Sequence, residues 1–190
     1  NSGGQAPRVA TPDVSKAVEK AADAATGATS AVSDAAKSAW AALGEARARR
    51  EGASEVEQAL IDALRARYAW PQPADRHALD EAYAQAMADV VKRFPKDADV
   101  ATLYAEALMD VRPWDQWTRE GQPQPGTQQV LEALESARRS NPDHPGALRL
   151  TIHALEASPQ PERAREAADR LRALAAALAA ASLPADEGMW

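Results

Sequence analysis

Residues 83–111 (YAQAMADVVKRFPKDADVATLYAEALMDV) and 130–158 (VLEALESARRSNPDHPGALRLTIHALEAS) carry one pattern twice. Pro95 falls on Pro142, an offset of 47 residues (142 minus 95). Ala86 then falls on Ala133, Met87 on Leu134, Leu103 on Leu150, Ala107 on Ala154 and Leu108 on Leu155. Small and large apolar positions recur together, which chance explains poorly. A chain with such a repeat folds as similar units stacked side by side, each burying a face against the next. Length alone leaves this open, since 190 residues suffice for one ordinary domain or a short array.

Composition says what the units are made of. Apolar residues make up 45% of the chain but aromatics only 5%, so alanine and leucine carry the hydrophobic content, which favours helix over strand. Ser54-Glu55-Val56-Glu57 fits a capping box and opens a helix to about Ala69, with Val56, Leu60, Ile61, Leu64 and Tyr68 on one stripe. Asp75 is expected to cap the next, which buries Leu79, Tyr83, Ala86, Met87, Val90 and Phe94 and stops at Pro95. Asp97 caps a third, with Val100, Leu103, Tyr104, Ala107, Leu108 and Val111 inward, ending before Pro113. Thr127 begins a fourth, closed by Asn141-Pro142, and Asp143 starts a fifth with Leu148, Ile152 and Leu155 inward. The last begins around Ser158–Pro161 and carries Ala164, Ala168, Leu171, Ala175 and Leu178.

Upstream, residues 1–10 read as a flexible tail and 11–52 as N-terminal alanine-rich amphipathic helices, with a heptad-like seam of small residues from Val14 to Ala39. Residues 53–183 form the helical array, about three pairs, and 184–190 a second tail. The expected class is all-α. With Asn1 rather than Met at the start, the expectation is a processed, tagged or excised chain.

Ala164 and Ala168 match Ala133 and Ala137 at an offset of 31 (164 minus 133), near the ~34-residue period of tetratricopeptide repeats. Removing the 13 residues between Arg112 and Gly126 brings the 47-residue copy to the same period. The chain thus resembles the tetratricopeptide-repeat family, with small residues where paired helices touch and a proline closing a unit. The Trp40-x-x-Leu43-Gly44 fragment matches the start of that consensus. More narrowly, residues 54–174 are similar to a group of bacterial helical-repeat proteins carrying VATLYAEALM, an RPWD-x-W loop and an IHA-x-EAS-x-x-PERA segment, here Val100–Met109, Arg112–Trp117 and Ile152–Ala164. Such relatives carry histidine where this chain has Arg149 and continue into a histidine-rich stretch that it lacks after Leu174. The resemblance implies a right-handed solenoid of antiparallel helix pairs with a concave binding face.

A formal net charge of -6 disfavours phosphate-backbone binding, so nucleic acid is not an expected partner. Arg47, Arg49 and Arg50 form a small basic knot, but Glu45 and Glu51 flank it and it reads as a solvated face. The absence of cysteine removes disulfides, thiol nucleophiles and thiolate metal sites, and leaves the compartment open, cytoplasmic or exported. The most apolar stretch, Leu174 to Leu183, falls short of the ~20 residues of a spanning helix.

The common phosphate-loop, zinc-protease, hydrolase and dinucleotide motifs are missing, so neither catalysis nor a cofactor is expected. The leading reading is a scaffold that binds a protein or peptide segment in its groove. Trp114, Asp115 and Trp117 lie in a proline-rich loop where two exposed tryptophans are costly, so they fold back between helix pairs or line the groove mouth. Tyr104, Arg149 and His153 complete the candidate contact set. His153 and Glu156 stand one turn apart, and with carboxylates such as Asp110 they define the metal or enzyme alternative, although two ligands fall short of the three or four a transition metal needs. A third reading is self-assembly through the alanine seam and the Leu171–Leu183 end.

Overall fold

The computed structural model describes residues 33–182, and every regular element among them is helical. Among these residues α1 spans 33–48, α2 Glu55–Leu64, α3 His77–Arg93, α4 Ala98–Val111, α5 Thr127–Ser140, α6 Pro145–Leu155 and α7 Arg165–Ser182. Short 3-10 turns occupy Arg50–Gly52, Arg65–Arg67 and Pro161–Ala164. No described helix is long and apolar enough to cross a membrane. The expected tails at 1–10 and 184–190, and the seam from Val14 to Val32, lie outside the described residues.

Helix boundaries recur at the offset of the sequence pattern. The first helix of each pair ends at Arg93 or Ser140, and the second begins at Ala98 or Pro145, all at the 47-residue offset (140 minus 93, 145 minus 98). Equivalent positions are buried together: Met87 with Leu134, Val90 with Ala137, Val100 with Ala147, Ala101 with Leu148 and Ala107 with Ala154. Each first helix stops where the next-but-one residue is proline, because Phe94 and Asn141 are driven from the α region to φ of -125° and -142°.

Each helix from α2 to α6 packs on its successor, and α4 also touches α6. Ala59, Ala63, Tyr83, Met87, Val90 and Val100 form one core beneath α2, α3 and α4. Val130, Leu134, Leu150, Ala105 and Ala154 form a second among α4, α5 and α6. Where those three helices converge the buried residues are Ala101, Ala137 and Ala147, with Val91 of α3 packed against them, so the backbones can approach closely.

Several local expectations need correction. The helix opened by the Ser54–Glu57 capping box ends at Leu64, and the 3-10 turn Arg65–Arg67 replaces its expected last turn. Asp75 accepts from His77 N at 2.9 Å, but the N-cap itself is Arg76. Asp143 does not cap α6; His144 does, and Asp143 instead accepts from Arg170 Nε at 2.6 Å. In α1 the buried residue is Leu43, while Ala35 of the seam is exposed. In the last helical segment Ala164 and Ala167 are buried, whereas Ala175 and Leu178 are exposed, because α7 at 18 residues outruns α6 at 11.

Candidate functional site

Side-by-side placement of α4 and α6 brings equivalent positions of the two copies together. Glu106, Met109 and Asp110 lie at i, i+3 and i+4 on one face of α4, and His153, Glu156 and Ala157 are their counterparts at and just beyond the end of α6. All six line a cavity of about 190 Å³, completed by Arg149 and Leu150 and by Pro113, Trp114, Gln116 and Trp117 of the loop after α4. Such a volume lies below the ~300–1,000 Å³ of drug-sized ligand sites and above the ~150 Å³ that holds a benzene, so it fits one side chain.

The loop is anchored, and its two tryptophans do different things. Gln116 is buried: its Nε2 donates to Arg112 O at 2.8 Å, and its carbonyl accepts from Gln124 N at 2.9 Å and Thr127 Oγ1 at 2.6 Å. Trp117 is half-buried and donates its indole N–H to Ala154 O at 2.7 Å, satisfying a carbonyl that the end of α6 would otherwise leave unpaired. Gly121, at φ +78°, closes the turn; a Cβ there would lie 3.2 Å from Pro159 Cβ, so glycine lets the loop rest on the 158–161 turn. Trp114 lines the same cavity but stays largely uncovered. Its φ is +60° and it is 84% exposed, with its ring edge-to-face with His153 at a centroid distance of 5.7 Å. A bulky residue in the left-handed region is strained, and a tryptophan left in water forgoes most of its burial energy.

Charges line the walls in pairs. Arg149 of α6 reaches Glu106 of α4 at 3.7 Å, and His153 Nδ1 lies 3.3 Å from Glu156 Oε1. Asp110 Oδ2 sits 2.6 Å from Arg67 Nη1, without regular hydrogen-bond geometry at that oxygen. Arg67 in turn lies over the Tyr83 ring at 5.2 Å. Burial works against the Arg67 guanidinium, yet the Asp110 charge and contact hold its pKa above the ordinary value. Burial pushes the Tyr83 hydroxyl upward, partly offset by Arg67.

Of the residues singled out in the sequence, Trp114, Trp117, Arg149, His153, Glu156 and Asp110 come together at this cavity. Tyr104 and Asp115 are not among its lining residues. Tyr104 packs against both apolar cores, and Asp115 is exposed, 3.3 Å from Arg112 and from Gln124 Nε2. Glu106 and Met109 were missed as site residues. The repeat could have found them, since they align with His153 and Glu156 at the 47-residue offset (153 minus 106, 156 minus 109). Among the described residues no group of three or more His, Asp or Glu is placed to hold a metal ion.

A larger opening of about 530 Å³ lies between α5, α6 and the start of α7. Two ion pairs lie in its walls, Arg138 with Glu166 at 3.2 Å and Arg139 with Glu135 at 3.1 Å, and it carries no aromatic residue. Comparison of the chain with protein-family models, with curated proteins and with solved structures gives no match.

Proposed function

We propose that this chain is a non-catalytic helical-repeat module, tetratricopeptide-like in its paired helices. It binds a protein or peptide segment along the face shared by α4 and α6. The observation that carries this reading is Trp114, held in a left-handed conformation and 84% exposed beside a side-chain-sized cavity. Strain and exposure at one bulky residue are both unfavourable to the free protein, and a partner that covers the indole recovers the second. The recurrence of lining positions on α4 and α6 supports the reading further, because stacked repeats present equivalent faces to one extended ligand.

Panning a displayed random peptide library against the intact chain and against Trp114→Ala tests it. Enriched peptides that bind the intact chain and lose at least tenfold in affinity for the variant are the expected result. Peptides indifferent to Trp114, or no enrichment over the immobilisation surface, would overturn the assignment. Trp114→Ala is a clean variant because the side chain holds no hydrogen bond in the loop, unlike Trp117.

A further inference from the structure

We infer that the anchor this cavity takes is cationic, a lysine-like ammonium or its methylated form carried by a basic segment of the partner. This deepens the reading above and rests on it. Three independent features point the same way.

The first is the balance of lining charge: three carboxylates, Glu106, Asp110 and Glu156, against one guanidinium, Arg149. Asp110 is engaged from behind by Arg67. Glu106 is held only at 3.7 Å by Arg149, with both side chains about half exposed, so that pair contributes little and opens readily to a competitor. Glu156 faces His153 alone among the ion-pair partners, at 3.3 Å.

The second is backbone polarity. Met109 and Asp110 are in the last turn of α4, and His153, Glu156 and Ala157 are at or just past the last turn of α6. Two helix C-termini therefore flank one cavity, and the partial negative charge of each favours a cation within the last turn.

The third is the wall. Tryptophan is the strongest aromatic partner for a cation over its face, and Trp114 offers an indole that is largely uncovered. An ammonium beside it would lie against carboxylates on α4 and past α6 at once, and its apolar stem would run over Met109 and Leu150. The same surroundings repel an anionic anchor, so the preference is one of sign as well as shape. Within such a site Arg149 is a competitor, not a contact. The role expected from the sequence for Arg149 is then reversed.

The test uses the full chain, 15N-labelled, with the Trp114 indole signal assigned through Trp114→Phe. Four probes are titrated: the blocked single residues Nα-acetyl-lysine methylamide, its trimethylated form, and the norleucine and glutamate equivalents. The two cations are expected to shift the Trp114 signal with affinities roughly 5- to 30-fold above norleucine, and glutamate to leave it unmoved. Glu106→Gln and Glu156→Gln are expected to weaken lysine without changing norleucine, and Arg149→Gln to strengthen it. Glu120→Gln, exposed in the same loop and outside the cavity, serves as the control. Norleucine equal to lysine, a preference for glutamate, or weaker lysine binding in Arg149→Gln would each overturn the inference while leaving the peptide-binding proposal intact. No response to any probe would also overturn it. Panning judges the binding proposal separately.

Discussion

His144 and Asp99 tie the second helix pair to the first through one imidazole. His144 Nδ1 accepts the Ala147 backbone N–H at 3.1 Å, and Nε2 lies 2.8 Å from Asp99 Oδ1 at the start of α4. The two contacts fix the tautomer: Nδ1 accepts, so Nε2 carries the hydrogen and donates to the carboxylate. Its repeat counterpart is Asp97, whose carboxylate accepts from Val100 N at 3.0 Å. Each copy thus caps its second helix at the same position with a different acceptor, and only the histidine has a second nitrogen left to reach its neighbour.

Replacing His144 by alanine removes an N-cap acceptor and is expected to lower stability by about 1–2 kcal/mol in urea unfolding. His144→Asn should restore most of it, since asparagine is a strong cap, while still lacking the Asp99 link. Asp99→Ala should cost under ~1 kcal/mol because its carboxylate is largely exposed. Equal loss in the alanine and asparagine variants would show that ring packing, and not capping, is what His144 supplies.

Gly146 depends on the same contact. A helical glycine normally gains about 1 kcal/mol when changed to alanine. Here the new Cβ would stand 3.1 Å from His144 Cε1 and 3.2 Å from Thr102 Cγ2. Neither neighbour yields easily: the ring is held at both nitrogens, and Thr102 is buried with its hydroxyl donating to Ala98 O at 2.7 Å. Gly146→Ala is therefore expected to destabilise by about 1–3 kcal/mol, an overpacking loss that thermal unfolding would read directly.

Acid should weaken the start of α2. Glu57 accepts from Ser54 Oγ at 2.7 Å and from Ser54 N at 2.8 Å, and these bonds, the side-chain one foremost, hold its pKa below the ordinary 4.5. The unfolded chain lacks them. A depressed folded pKa means the contribution is fully present above 4.5 and is lost as pH falls through the folded value. Glu57→Gln can keep the box's geometry but cannot titrate. The stability difference between the two proteins is expected to be constant well above 4.5 and to shrink as pH falls through the depressed folded value, measured by urea unfolding across the acid range. A difference independent of pH would mean that the box gains nothing from charge.

What could be read from the sequence follows the range of the interaction that decides it. The Ser54–Glu57 box, the Asp97 cap and the stops before Pro95 and Pro142 each depend on residues within a few positions, and each was legible. The histidine cap was not, because acceptance by Nδ1 depends on a tautomer that Asp99, 45 residues away, helps set. Asp143 looked like the cap only because its partner, Arg170, comes from α7. The site divides in the same way. Spacing placed His153 beside Glu156, but the pairing of Arg149 with Glu106 and the unequal burial of Trp114 and Trp117 arise from packing between helices distant in sequence. Tyr104, inward by its stripe and also a candidate contact, packs half-buried against both cores and leaves the cavity wall to Glu106 and Met109.

Trp114 and Trp117 should answer substitution in opposite senses. Trp117→Phe keeps the aromatic packing but strands the Ala154 carbonyl at the end of α6, and is expected to cost about 1–3 kcal/mol. Trp114→Gly removes a side chain that is 84% exposed and places at φ +60° the one residue that adopts it without steric cost. The relief of a left-handed conformation, about 1–2 kcal/mol, exceeds the roughly 0.5–1 kcal/mol that glycine's extra chain entropy takes back. Trp114→Gly should therefore leave stability unchanged or raise it by up to ~1 kcal/mol, while peptide binding is lost. A clear loss of stability in urea unfolding would show that the indole is part of the fold and not held out for a partner. Unchanged or raised stability together with lost binding is the pattern of strain kept at a site for function.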